Sequence, residues 1–340
     1  MNIGGIDLNR DVLIIAEIGN NHEGDFGLAK ELIGLAAEAG AQAVKFQTIV
    51  PERLVSPADT ARVQQLRRFQ FSYDQFAELK AVADKHGVLF LSTPFDLESA
   101  RFLDALVPAF KIASGDNTFY PLLEMICRTG KPIILSTGLV DAGEAAGCVE
   151  FIRGQWATSG IRQELALLHC VVNYPTAAED ANLLAIRDLA ALGVIPGYSD
   201  HTLGVEAAVL SVGLGARIIE KHFTINKHHS DFRDHQLSAD PAELAELVRR
   251  VREANRMLGD GIGHHRANEA EISVRVRRSI VAARDLPAGT VLAFDDLSWV
   301  RPGGGLAPGR EAELVGRVLT RSVAAGEQLL PADCRDQAQG

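Results

Sequence analysis

Along the first 260 residues a short apolar run, a polar or glycine-bearing loop and a stretch with helical spacing follow one another, and the unit recurs to the end of that span. The apolar runs cover residues 12–16, 43–46, 88–91, 109–113, 133–135, 165–169, 193–197 and 216–220. They are short and nearly uniformly apolar, the pattern of strands buried on both faces of a parallel sheet. The helical stretches cover 28–39, 72–85, a short piece after Asp96, 120–128, 141–156, 182–192, 204–214 and a closing segment at 241–258. Gly40 is placed to stop the first helix, and Ser72 to cap the second. Eight strands alternating with eight helices predict the α/β class and a (β/α)8 barrel. A doubly wound open sheet is the alternative. It is disfavoured because no glycine-rich phosphate fingerprint follows the first run.

Right-handed strand–helix–strand units place the strand ends on one rim, where such folds hold ligands. Here those ends read Glu17, Lys45, Thr93, Lys111, Ser136, His169, Tyr198 and Lys221-His222. His201 and His222 flank one helical segment, and two imidazoles from neighbouring strand ends can share a divalent metal. Lys45 and Lys111 lie in strongly apolar strands, where a lone ammonium is costly. A single such lysine could form a Schiff base, but two facing one pocket suit a multiply charged anion such as a phosphate or carboxylate. Ser114-Gly115 and Ser136-Thr137-Gly138 directly follow strands, and small residues there let backbone amides approach phosphate oxygens. Glu17 ends the first strand, which neighbours the eighth in a closed barrel. It should therefore approach His222, where a carboxylate can orient water or act as a general base.

A net charge of −10 argues against nucleic acid or an anionic membrane as the main partner, yet leaves room for a local basic pocket. The four cysteines (Cys127, Cys148, Cys170 and Cys334) have neither metal-ligand nor redox spacing and read as reduced core thiols. The opening residues lack a signal pattern, and no apolar stretch reaches the roughly 20 residues of a membrane helix. A cytoplasmic protein is expected. Residues 51–70 form a polar insertion rich in Arg and Gln. After the barrel (1–260), a linker (261–277) containing His264 and His265 leads to a β-rich module (278–340). Two pieces of that module resemble each other around Pro287-Ala288-Gly289 and Ala324-Ala325-Gly326. At about 60 residues it is marginal alone and is expected to pack on a barrel.

The segments IIAEIGNNHEG, AVKFQT, LSTPFD, KIASGD, KPIILSTG, LHCVVNYPT, GYSDHT and EKHFT occur in that order. Together they closely resemble the sialic acid synthase family, which has a TIM barrel. RRSIVAARDLPAGTVL and VRPGGG resemble the family's appended antifreeze-like (SAF) domain. The resemblance implies condensation of phosphoenolpyruvate with an N-acylated mannosamine-type sugar, giving a nine-carbon 2-keto acid and phosphate. It also implies a divalent metal, Mn2+ or Mg2+, and a domain-swapped homodimer. Carried over by motif, His201 and His222 are the metal ligands and Glu17 handles water or a sugar hydroxyl. Lys45, Lys111, Ser114, Ser136 and Ser199 are the phosphoenolpyruvate residues. Gln47, Thr93, Phe95, Asp116, Tyr174 and Asp234 fall to the sugar side, and Arg301 reaches into the partner subunit's site. Three departures stand on the sugar side. Asp116 replaces a usual Glu, Val172 replaces a usual Asn, and residues 226–235 (NKHHSDFRDH) differ from the usual Gly-Pro-Asp-His loop. They point away from plain N-acetylmannosamine and toward a diacetamido sugar, the precursor of legionaminic or pseudaminic acid, or a spore-coat-type sugar. A 3-deoxy-glycosonate phosphate synthase acting on a phosphorylated aldose would share the barrel and donor but leaves the SAF module unexplained. A non-catalytic sugar-binding protein would leave Glu17, both lysines and the histidine pair unexplained.

Overall fold

The computed structural model describes residues 1–259, 261 and 269–337, so the linker histidines His264 and His265 lie outside the described residues. The chain divides into two units, Met1–Gly259 and Asp260–Gly340.

The first unit is a nearly closed barrel of eight parallel strands: β1 (Leu13–Gly19), β2 (Ala43–Thr48), β3 (Leu89–Pro94), β4 (Phe110–Ile112), β5 (Ile133–Ser136), β6 (Leu165–Cys170), β7 (Ile195–Asp200) and β8 (Ile218–His222). The sheet order is β3-β2-β1-β8-β7-β6-β5-β4, with no hydrogen-bonded pairing between β3 and β4 among the described residues. Each strand leads into an outer helix: α1 (Phe26–Glu38), α2 (Tyr73–Lys85), α3 (Leu97–Leu103), α4 (Tyr120–Cys127), α5 (Ala142–Thr158), α6 (Ala185–Ala191), α7 (Glu206–Gly213) and α8 (Pro241–Leu258). Ser72 and Gln75 close a reciprocal capping box at the start of α2, and Asp141 and Glu144 another at α5. Helix α6 starts three residues later than the apolar spacing predicts, because Asn182 takes a left-handed φ of 42°. The polar insertion contains two further helices, Pro51–Leu54 and Thr60–Arg67. The latter buries only Val63 and Leu66, too few for the pattern to be visible in the sequence. No helix among the described residues is long and apolar enough to cross a membrane.

Side chains alternate across each strand, and this parity organises the barrel. Ile14, Ala16, Val44, Phe46, Phe90, Ile133, Leu167 and Ile219 belong to the core that includes the helices. Their neighbours Leu13, Ile15, Ala43, Leu91, Ile134, Leu168 and Ile218 form a second cluster inside the barrel. Met1, Ile3 and Leu8 join that inner cluster, Ile3 from the antiparallel pair Asn2–Ile3 and Ile6–Asp7. Each fully buried Val, Leu, Ile or Phe side chain among them contributes about 1.5–3 kcal/mol. Gly197 has to be glycine: a Cβ there would lie 2.3 Å from Leu168 Cδ2 and 2.7 Å from the Ile218 carbonyl oxygen.

The second unit begins with a helix, Ala270–Val276, inside the span expected to be linker. Strands β9 (Ser279–Ala282) and β10 (Leu297–Val300) pair antiparallel, as do β11 (Val318–Leu319) and β12 (Cys334–Arg335). The sequence repeat has a structural counterpart. Asp296 accepts the Ala293 amide and Asp333 the Leu330 amide, each closing a 3-10 turn before its strand. Leu286 and Val323 exchange backbone hydrogen bonds of 2.8 Å between the two pieces. Ile280, Leu286, Leu297, Leu319, Val323 and Leu329 are among the residues of this unit's own core.

Candidate active site

Toward the carboxyl ends of the strands, the inward positions change from apolar to polar. Following the parity from Leu13 and Ile15 gives Glu17, from Ala43 gives Lys45 and Gln47, and from Leu91 gives Thr93. Likewise Ala109 leads to Lys111, Ile134 to Ser136, Ala166 and Leu168 to Cys170, Gly197 to Ser199, and Ile218 to Glu220 and His222. All ten polar side chains line one cavity of about 220 Å³, completed by Phe95, Ala113, Ser114, Gly115, Val172, Tyr174 and His201.

Four buried charges alternate along its base. Lys45 Nζ lies 3.0 Å from Glu17 Oε2 and 3.6 Å from Glu220 Oε2, and it donates to Thr93 Oγ1 at 3.2 Å. Lys111 Nζ donates to Ser136 Oγ at 2.7 Å and lies 3.7 Å from Glu220 Oε1. Ser199 Oγ donates to Glu220 Oε1 at 3.0 Å, and Gln47 Nε2 to Glu17 Oε1 at 2.9 Å. Burial alone would raise the Glu220 carboxyl, but Lys111 and then Lys45 hold it down at about 2. At Glu17 burial prevails over Lys45, and the carboxyl is raised above its ordinary range. Lys45 is raised against its own burial by Glu17 and Glu220. Lys111 is lowered, mainly by burial.

The histidine rings are neighbours, centroids 5.4 Å apart, and His222 shares strand β8 with Glu220. His201 Nδ1 lies 2.8 Å from the Val171 carbonyl oxygen. A carbonyl only accepts, so Nδ1 carries the hydrogen, and in the neutral ring Nε2 keeps its lone pair. Burial, with the His201 charge, pushes His222 well below the ordinary histidine range, so it is neutral. At His201 burial is outweighed by Cys170 and the Val171 carbonyl, and the ring is raised. With His201 deprotonated, the two adjoining imidazoles, one nitrogen oriented by a carbonyl, fit a divalent metal held by two protein ligands. Among the described residues there is no group of three or more His, Cys, Asp or Glu side chains gathered for a metal.

Of the sequence-derived candidates, Asp116, Asp234 and Arg301 are not among the residues lining the cavity. Asp116 ends the 3-10 turn Ser114–Asp116, where burial raises its carboxyl to about 6. Asp234 lies in the short helix Arg233–Leu237 after β8, and Arg301 in the second unit just beyond β10. Three of the polar strand ends fall on the outward parity. His169 Nε2 donates to the Ala181 carbonyl at 2.8 Å, Tyr198 packs with Ile186 and Ala216, and Lys221 pairs with Asp200 at 2.8 Å. Glu220 and Cys170 line the cavity but were not assigned to it from the sequence. Counting back two residues from His222, or on two from Leu168, would have found them. Cys170 is a free buried thiol as expected, though its Sγ faces His201 Nδ1 at 3.8 Å rather than the helix core.

Residues 32–263 match the NeuB family and residues 277–335 the SAF domain. An uncharacterized protein of Methanocaldococcus jannaschii is 45% identical over 312 residues, which are 91% of this chain and 89% of that one. An N,N'-diacetyllegionaminic acid synthase of Legionella pneumophila is 40% identical over 93% of both chains. The crystal structure of an N-acetylneuraminic acid (sialic acid) synthetase from Leptospira borgpetersenii in complex with citrate superposes with a TM-score of 0.74 at 37% identity. The match covers 80% of this chain and 94% of that one. The chain is a member of the NeuB family, a TIM barrel followed by a SAF domain. It carries the family's phosphoenolpyruvate-dependent condensation chemistry at the level of class.

Proposed function

We propose that this chain condenses phosphoenolpyruvate with an N-acylated mannosamine-type sugar, giving a nine-carbon 2-keto sugar acid and phosphate. The observation that carries this reading is the buried base of two lysines and two carboxylates in the same cavity as two adjoining imidazoles. Lys45, Lys111, Ser114, Ser136 and Ser199 hold the donor's phosphate and carboxylate, which exchange with the carboxylates for the ammonium groups. His201 and His222 would hold a divalent metal, Mn2+ or Mg2+, which when bound supplies Lewis acidity toward an aldehyde oxygen. Carbon 3 of phosphoenolpyruvate forms a bond to the aldehyde carbon of the sugar. Water adds to carbon 2, and the bond between carbon 2 and the phosphate oxygen breaks. Glu17 moves the proton of that water or of the sugar oxygen. Its raised carboxyl is closer to neutrality than an ordinary glutamate, which favours such a role.

Gln47, Thr93, Phe95, Asp116, Tyr174 and Asp234 serve the acceptor side, and Arg301 would complete the site from the partner in a domain-swapped homodimer. Similarity to a diacetyllegionaminic acid synthase supports a diacetamido sugar as the acceptor. So does Val172, whose side chain offers the cavity methyl groups and no hydrogen bond. The test uses phosphoenolpyruvate carrying 18O in the bridging position. The proposal requires the label in the released phosphate; label retained in the organic product would contradict it.

A further inference from the structure

The loop at 226–235, where the sequence departs most from the family pattern, is fastened from the opposite end of the barrel sequence. Asn21 Nδ2 donates to the Phe223 carbonyl at 2.8 Å and to Ser238 Oγ at 2.9 Å, and Ser238 Oγ donates to the Asp234 carbonyl at 2.5 Å. Glu23 Oε1 accepts from Ser230 Oγ at 2.6 Å and from Nε2 of the fully buried His235 at 3.0 Å. Phe232 packs on Phe69 of the insertion, ring centroids 5.1 Å apart. Arg233 stands between these anchors. Its guanidinium carbon lies 5.4 Å from the centroid of Tyr174, and the same Tyr174 ring lies 4.2 Å from the ring of His201.

Depth orders the cavity. Lys45 and Lys111 are buried, whereas Val172 and Tyr174 are partly open to solvent, so the tyrosine marks the mouth. An Arg stacked on an aromatic face keeps its in-plane N–H donors free. Arg233 spends little of that capacity: its one ion pair among the described residues is a 3.5 Å contact from Nε to Asp234, and its side chain is 71% exposed. The adjoining carboxylate offsets its charge, which favours a neutral oxygen over a phosphate as its ligand.

We propose that Arg233 is a specificity-determining residue that donates to an uncharged oxygen, an acyl carbonyl or a hydroxyl, at the distal end of the acceptor sugar. Glu23 is a positioning residue that holds the loop in place through His235 and Ser230. This rests on the reading that the deep lysines hold the donor and leave the mouth to the acceptor.

The test is steady-state kinetics of the full-length chain with Mn2+, phosphoenolpyruvate and a diacetamido acceptor, comparing wild type, Arg233→Ala, Glu23→Gln and Asp231→Ala. Loss of a hydrogen bond from a charged donor is expected to raise the acceptor KM about tenfold or more in Arg233→Ala. The KM for phosphoenolpyruvate should stay within about twofold in the same variant. Glu23→Gln should reproduce that split at unchanged melting temperature, and Asp231→Ala, an exposed neighbour, should match wild type. An unchanged acceptor KM in Arg233→Ala, or equal rises for both substrates, overturns the inference. A wild type that consumes no phosphoenolpyruvate with any acceptor sinks the functional reading instead. An acceptor KM that rises only for a 6-phosphorylated sugar would assign Arg233 to a phosphate and overturn the neutral-oxygen assignment.

Discussion

Lys45 Nζ stands 3.0 Å from Glu17 Oε2, with both side chains at least 96% removed from solvent. A pair this deep is costly to form and has to be offset by its geometry. Glu17→Gln keeps the contact with Gln47 possible and removes the group that moves a proton. The account expects kcat to fall by about 100-fold or more, with the KM for phosphoenolpyruvate not raised, since one negative charge has left the donor's pocket. A kcat within a few-fold of wild type would assign the proton to another group.

Glu220 separates the two lysines. Replacing it with Gln leaves two buried ammonium groups facing one carboxylate. Removing one partner from a buried ion pair costs about 3–5 kcal/mol, so the melting temperature should fall. The donor's own anions can take the missing charge's place. Saturating phosphoenolpyruvate should therefore raise the melting temperature more in Glu220→Gln than in wild type. Equal shifts in a scanning fluorimetry titration would contradict this arrangement.

Gly138 donates its amide to Ser114 Oγ at 3.0 Å, and a Cβ there would lie 2.7 Å from that oxygen and 2.5 Å from Val172 Cγ2. Gly138→Ala must displace Ser114 from the donor side. A rise in the KM for phosphoenolpyruvate of about tenfold is expected if a charge-assisted hydrogen bond is lost. An unchanged KM would remove Ser114 from the donor site.

Asp116 gives a pH signature. Its carboxyl is raised by burial from 3.8 to about 6, so the folded protein binds its proton more tightly than the unfolded chain. The associated stability is full below pH 3.8 and is lost as the pH rises through 6. Asp116→Asn cannot ionise, so its melting temperature should exceed that of wild type at pH 8 and converge on it at pH 4. A difference that does not vary with pH would place Asp116 in a solvated environment.

Much of this was legible in the sequence. Eight apolar runs and their polar ends gave the barrel, and the motifs around Glu17, Lys45, Lys111, His201 and His222 gave most of the cavity. Part of what stayed hidden has a plain physical cause: where a strand is buried on both faces, composition does not mark which side of the sheet a polar residue faces. Lys221 and Glu220 are adjacent and equally polar, yet one meets Asp200 outside the barrel and the other the lysines within. Only the two-residue period from His222 tells them apart. The fastening of loop 226–235 by Asn21 and Glu23 joins residues about 200 positions apart, beyond the reach of any local pattern.

The most direct measurement is release of inorganic phosphate from phosphoenolpyruvate with Mn2+, tried with N-acetylmannosamine, its 6-phosphate and 2,4-diacetamido sugars. The account predicts release that requires an acceptor, is fastest with a diacetamido sugar and stops when a chelator is added. Release without any acceptor, or none with any acceptor from folded protein, would contradict it.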